Sequence, residues 1–510
     1  MHEEADMRGH VQGRARTGSP APGSLAGRPA HRREGQGHAL VIGGGIAGLA
    51  AAHRLVATGA RVTVLEASGR VGGKLRVGEL AGQAVDLGAE SVLARRPEAV
   101  ELARAVGLGD ALQAPATATA SLWTRGALRP MPRGHLMGVP GDLNQLAESG
   151  VLSAEGLARA AQDEALPPVE VGDDIAIGAY VAARLGPEVV DRLVEPLLGG
   201  VYAGDAYRIS LRAAVPKLYE AARGHRTLGE SVRAVQAQAA VAAAAPGPVF
   251  QGIAGGVGRL PMALVETLHT AGVTVQCHTS ARSLSRTATG WHVTTDTGEA
   301  LTADAVVLAV PASPAAELLA GLAPAAAMEL RAVEYASMAL VTMAFRRADL
   351  SPQLAGSGFL VPPVDGRTIK ASTFSSNKWS WVAEVDPDLF VLRASIGRYG
   401  DENDLKRDDG ELIAVSLSDL GEATGLGARP VASTVTRWDG GLPQYPVGHL
   451  ARVARIRAAV AAQPGLAVCG ALYEGVGIPA CIASATRAAE EITTALGDTL
   501  APSIHSDTGQ

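Results

Sequence analysis

Residues 39–66 read ALVIGGGIAGLAAAHRLVATGARVTVLE. The apolar run Ala39 to Ile42 stops at glycines, an Ala/Leu-rich helical pattern follows, and a second apolar run, Val62 to Leu65, ends on Glu66. That order predicts strand, tight turn, helix and strand. Gly43, Gly45 and Gly48 hold the three glycine positions of G-x-G-x-x-G. The first permits the sharp turn, the second lets the backbone approach a pyrophosphate, and the third lets helix and strand pack closely. Together with Gly44, Ile46 and Ala47 they put free N–H groups and the positive end of a helix dipole where phosphates would lie. Glu66 sits about twenty residues on, where a carboxylate accepts hydrogen bonds from an adenosine ribose. A glycine turn in an ordinary βαβ unit is the alternative. The complete set of strand, helix, second strand and terminal acid favours a dinucleotide.

Outward from this stretch, the chain has 510 residues, too many for one core, so two interleaved domains are expected. With 47% hydrophobic and 19% charged residues it reads as globular. A net charge of -6 leaves no electrostatic footprint for nucleic acid. The cysteines, Cys277, Cys469 and Cys481, are scattered and odd in number. They suit buried thiols in a reducing compartment, and no Cys/His spacing suggests a metal. No apolar run is long enough to span a membrane. Residues 1–37 are rich in Gly, Pro, Arg and Ser without apolar period and read as a disordered extension. They lack the apolar core of a secretory signal, and Glu3, Glu4 and Asp6 argue against a transit peptide. The expected location is cytoplasmic.

After Glu66 comes Ala67-Ser68-Gly69-Arg70-Val71-Gly72-Gly73-Lys74, then Asp86-Leu87-Gly88-Ala89-Glu90-Ser91. An arginine framed by glycines suits a loop running back along a pyrophosphate. These segments, together with the fingerprint, resemble the flavin-containing amine oxidase superfamily. Further runs are similar to its FAD-dependent protoporphyrinogen/coproporphyrinogen III oxidase family, Gram-positive type: PRGHLMGVP (132–140), EPLLGGVYAGD (195–205), RWDGGLPQYPVGH (437–449) and YEGVGIPACI (473–482). The resemblance covers about Ala39 to Leu496. A glycine-rich stretch, GIAGGVGRL (252–260), could pass for a second phosphate loop, but no clear strand precedes the helix expected over Pro261 to Thr270. Val232 to Pro248 reads as an alanine-rich insertion, and Leu340 to Phe345 and Val391 to Ile396 as alternating strands.

The resemblance implies an α/β (α+β overall) fold, a Rossmann-like FAD-binding domain interleaved with a mixed-sheet and helical substrate-binding domain. Segments 38–95, 249–311 and 430–500 form the first and 96–248 and 312–429 the second, with 501–510 a tail. It implies FAD contacts from the fingerprint residues and from Glu66, Ala67, Arg70, Gly73, Lys74, Gly88, Ala89, Glu90, Ser91, Ala281, Trp438, Val476, Gly477 and Ile478. Trp438 is equally readable as a core tryptophan. The implied activity is oxidation of coproporphyrinogen III to coproporphyrin III in haem biosynthesis, in three hydride-transfer steps, with O2 reduced to H2O2. Protoporphyrinogen IX is the rival substrate, and an amine oxidase a more distant one. The resemblance ties membrane association to protoporphyrinogen IX and a soluble enzyme to coproporphyrinogen III; no membrane span is expected, and peripheral association is left open. No catalytic side chain is assigned, because the flavin carries the hard step. Arg95 and Arg96 suit a propionate, though solvated surface arginines are an equal reading.

Overall fold

The structure is a computed structural model describing residues 37–167, 169–242, 247–350 and 354–500. The extension and the tail expected at 1–37 and 501–510 lie outside the described residues, apart from Gly37.

Strand β1 (His38–Ile42) is buried along its whole length. It pairs in parallel with β2 (Arg61–Leu65) on one side and with Ala305–Leu308 on the other. Strands Thr274–Gln276 and Leu466–Val468 complete a five-stranded parallel sheet, one at each edge. Continuous apolar runs are what a parallel sheet covered on both faces demands. One face is covered by α1 (Ile46–Ala57), whose Ala47, Gly48, Ala50, Ala51 and Ala52 are buried, and by the C-terminal helix Ile478–Leu500. Small residues let α1 lie close to the sheet. A Cβ at Gly48 would overlap the Gly43 carbonyl oxygen.

The second sheet has seven strands, in the order Ala432–Pro443, Tyr335–Arg346, Leu389–Ile396, Ile369–Thr373, Gly358–Leu360, Ser121–Thr124, Ala127–Pro130. All pairs are antiparallel except Gly358–Leu360 with Ser121–Thr124. Leu340 to Phe345 do not alternate in burial as expected; all six are buried. The cause is cover on both faces. Val341, Met343 and Phe345 pack with Leu412 and Leu420 of the helix Asp409–Thr424, while Ala344 packs with Trp379, Trp381 and Leu87. Helices between Ile177 and Ala242 form a third core around Leu193, Val194, Leu198 and Tyr445, with a π-helical turn at Val190–Val194.

Other expectations need correcting. A strand, Phe250–Ile253, does precede the helix Arg259–Thr270 and runs into the glycine-rich stretch, pairing antiparallel with Val92–Leu93 and Leu112–Gln113. It is short and half exposed, so no apolar run announces it. Much of the alanine-rich stretch belongs to the helix Leu228–Ala242, with Val232 and Val235 buried. Alanine is the strongest helix former, so low complexity there means helix. Residues 243–246 lie outside the described ones. Sheet membership also cuts across the expected domain segments. Helices Ala312–Leu319 and Pro324–Arg331 pack under the parallel sheet, and Ala432–Pro443 is an edge of the seven-stranded one. Among the described residues no helix is long and apolar enough to cross a membrane, and no cluster of His, Cys, Asp and Glu could hold a metal ion.

Candidate cofactor and substrate site

The fingerprint turn leaves the start of α1 open. Gly45 is its N-cap, no side chain caps it, and no acid lies in the first turn. A Cβ at Gly45 would meet nothing within 4 Å, so there is space beside the first N–H groups of Ile46, Ala47 and Gly48. Uncapped N–H groups facing open space are a phosphate cradle. At the end of β2, Glu66 Oε2 accepts the Gly44 N–H (2.8 Å), and Oε1 accepts the Ser68 N–H (2.8 Å) and hydroxyl (2.6 Å). The carboxylate is thereby held beside the turn, with Ala67 exposed next to it. The backbone N–H of Thr279 donates to the Glu66 carbonyl at 2.9 Å, which brings the strand starting at Ala281 to the same end.

The arginine–glycine loop folds back onto the fingerprint. Gly72 N–H donates to the Gly44 carbonyl at 2.8 Å, and a Cβ on Gly73 would lie 3.3 Å from Gly45 Cα. Arg70 holds this loop together, donating to the carbonyls of Gly73 (2.7 Å) and Val71 (3.2 Å). Lys74 keeps solvent contact, yet its ammonium sits among protein groups, and that desolvation lowers its pKa.

Gly88 packs on the Lys74 backbone, and a Cβ there would overlap the Lys74 carbonyl oxygen and come 3.4 Å from Trp438 Cζ2. Trp438 Nε1–H donates to the Leu87 carbonyl (2.9 Å), and Arg393 Nη1 donates to the Gly88 carbonyl (2.7 Å). Trp438 is thus a fixed wall beside this segment. Ala89 is exposed and Ser91 half-buried in the same turn. Glu90, expected among the cofactor contacts, is buried and spends its carboxylate on Lys378 (2.6 Å) and Arg393 (3.1 Å). Burial raises its pKa, but Arg393 and Lys378 outweigh that and hold it at about 2. Asp86 accepts the N–H groups of Val257 (3.0 Å) and Gly258 (3.2 Å), and burial pushes it up to about 6. The glycine-rich 252–260 turn is therefore clipped to this segment.

At the far end of the chain, the helix Ile478–Leu500 starts beside these groups. Ile478 packs in the α1 core, Val476 against the helical core, and Gly477 between them is exposed. Cys481, in the first helical turn, feels the positive charges of both Lys74 and Arg96. Burial nonetheless pushes its thiol up to about 11. Arg96 is half-buried and pairs with Glu98 (2.6 Å), whereas Arg95 is exposed. The structure so brings Lys74 and Arg96 to one helix N-terminus and leaves Arg95 outside.

Sequence reasoning missed Arg393, Lys378 and Asp86. Lys378 is 288 residues from the carboxylate it pairs with, and nothing in its local sequence marks it. Asp86 opens the DLGAES run and carried a signal that was visible. An uncapped helix N-terminus, a held acid and two glycine segments laid on each other fit the nucleotide half of FAD.

The family described as flavin containing amine oxidoreductases matches residues 46–493. The coproporphyrinogen III oxidase of Mycobacterium tuberculosis (H37Rv) is 38% identical over 461 residues, covering 89% of this chain and 97% of that protein. The coproporphyrinogen III oxidase of Bacillus subtilis is 33% identical over 473 residues, covering 91% and 99%. A crystal structure from Exiguobacterium sp. 255-15, named provisionally as a protoporphyrinogen oxidase, superposes with a TM-score of 0.80 at 32% identity, covering 90% of this chain and 99% of that one. The chain belongs to the flavin containing amine oxidoreductase family and, within it, groups with the coproporphyrinogen III oxidases.

Proposed function

We propose that the protein is an FAD-dependent oxidase that converts coproporphyrinogen III to coproporphyrin III in haem biosynthesis, passing the electrons to O2. What carries this reading is its near end-to-end similarity to relatives of that name, with every cradle segment present in order. Protoporphyrinogen IX is the second reading, favoured by the name of the Exiguobacterium structure. A cytoplasmic location suits three cysteines that are all free.

Bound FAD supplies the two-electron acceptance that no side chain here offers. The chain's own residues bind and orient. The first N–H groups of α1 would hold the pyrophosphate, and Glu66 the adenosine ribose. Gly88, Ala89 and Ser91 would run along the ring system, with Trp438 walling off water. The N–H groups at the start of the helix Ile478–Leu500 would stabilise negative charge that arrives with the electrons. Glu90, held at about 2 between two cations, stays ionised at neutral pH and is no proton donor. Porphyrinogen N–H protons exchange with water, so the reading needs no dedicated base.

Arg96 would receive one propionate. An Arg95→Ala, Arg96→Ala double variant then raises KM for coproporphyrinogen III roughly tenfold or more, the loss of one charge-assisted hydrogen bond. Arg96→Ala alone carries the effect. An unchanged KM in the double variant disposes of the assignment. The function itself is tested by anaerobic mixing with each porphyrinogen in turn. Coproporphyrinogen III should bleach the flavin absorbance, and a Soret band should grow when air is admitted. Bleaching by protoporphyrinogen IX alone selects the second reading, and bleaching by neither removes both.

A further inference from the structure

The run Gln444-Tyr445-Pro446-Val447-Gly448-His449 has no role in the reading above, yet Gln444, Tyr445 and His449 are buried and hydrogen-bonded. Tyr445 and His449 are 2% and 1% exposed. Their rings stack face to face, with centroids 3.8 Å apart and planes 14° apart. The Tyr445 hydroxyl donates to the Ala471 carbonyl, and His449 Nε2 reaches the Leu472 carbonyl at 2.9 Å. A carbonyl only accepts, so Nε2 carries the proton and Nδ1 is bare. Nδ1 is buried without a partner, and burial holds the imidazole at about 4, neutral at physiological pH. A buried imidazole that forgoes one hydrogen bond calls for an explanation outside its own stability. The two carbonyls it serves with Tyr445 are adjacent, and both belong to the loop that leads to the C-terminal helix.

That loop has further anchors: the Gly470 N–H donates to Ser484 Oγ (3.2 Å), and Cys481 Sγ lies 3.9 Å from the Gly475 and Val476 carbonyls. It leaves the parallel sheet at Cys469, whose N–H donates to the Leu308 carbonyl (3.0 Å). It passes two glycines at positive φ, Gly470 (134°) and Gly475 (135°), and enters the helix at Ile478. Glu474 is held by Arg457 and by Arg487 (2.8 Å). The stack also reaches the helical core. Tyr445 packs on Tyr202, with centroids 5.4 Å apart, and Gln444 Nε2 donates to the Tyr202 carbonyl (2.9 Å).

We propose that Tyr445 and His449 are positioning residues for the loop Gly470–Gly477. Through the Ala471 and Leu472 carbonyls they set where the N-terminus of the helix Ile478–Leu500 stands against the flavin ring. The proposal rests on the reading that Val476 to Ile478 face that ring. It predicts that the pair tunes the flavin's electron affinity without touching FAD. A helix N-terminus acts on charge only over its first turn, so a small displacement of the loop weakens its hold on the reduced ring.

The test is the midpoint potential of the FAD-loaded protein, titrated against redox dyes, alongside its FAD dissociation constant. Tyr445→Phe and His449→Leu should each lower the equilibrium constant for two-electron reduction about tenfold, a fall of about 30 mV. His449→Gln should keep the wild-type potential, because its amide N–H can still reach the Leu472 carbonyl. Val476→Glu is the reference variant: a negative charge in the facing segment lowers the potential if that segment lies by the ring. No shift in Val476→Glu overturns the facing reading and the proposal with it. A shift in Val476→Glu with none in Tyr445→Phe and His449→Leu overturns the positioning proposal alone. Failure of His449→Gln to hold the potential removes His449 as the donor. Tyr445→Phe deletes a single oxygen, so the test survives if His449→Leu does not fold.

Discussion

Glu90→Gln should destabilise the protein by about 3–5 kcal/mol in urea unfolding and strip it of FAD. The carboxylate is buried between Lys378 and Arg393, and the amide leaves two largely buried cations without their counter-charge. Arg393 also donates to the Gly88 carbonyl, so its release loosens the segment that would line the ring. The pH dependence has a definite sign. The folded pKa is depressed from 4.5 to about 2. The ion pairs therefore stabilise the fold fully above about 4.5, and their contribution is lost as the pH falls towards about 2. That depression is worth roughly 3 kcal/mol, in line with the cost of breaking the pair. The wild type and Glu90→Gln curves should converge at the acid end. Parallel curves down to pH 2.5 would show that the carboxylate is not held by these cations.

Gly48→Ala should have the second large effect, and on a different quantity. Gly48 is helical, so no unusual backbone angle is at stake. The added methyl would overlap the Gly43 carbonyl oxygen, which is backbone and cannot swing aside, and lie 3.2 Å from Ala309 Cβ. Helix α1 must then lift off β1, and its first N–H groups leave the place where phosphates would sit. Retained FAD, read as absorbance per protein after desalting, should fall by at least tenfold, with a stability loss of about 1–3 kcal/mol. Full flavin content in Gly48→Ala would mean that the third glycine is not what holds helix and strand at nucleotide-binding distance.

These two positions also mark what sequence can reveal. Gly48 was legible because its reason is local. Strand, turn, helix and acid all fall within 28 residues, and Gly48 answers to Gly43 inside that span. Glu90 is legible as part of its segment, but its ion pairs are not. Its partners lie hundreds of residues downstream, on the strand Leu389–Ile396 and the short helix Ser375–Lys378, and no periodicity connects them. Tyr445 and His449 stood in a motif that was read correctly as a motif, but their task depends on carbonyls that only the fold brings near. The strand Phe250–Ile253 escaped notice because it owes its existence to partners two residues long, not to an apolar run. The alternation expected at Leu340 to Phe345 failed because water touches neither side of the sheet there. Arg95 and Arg96, equal in the sequence, are separated by the turn that points one inward towards Cys481 and leaves the other exposed.

The parallel sheet takes one edge strand from Leu466–Val468, and α1 is covered by the helix Ile478–Leu500. Synthesis runs the other way. A ribosome delivers the glycine turn near the start and its lid only at the end, so the nascent chain carries an unroofed alanine helix through most of translation. Flavin capture is therefore expected to depend on that late segment, and a chain cut before Ile478 should purify without colour.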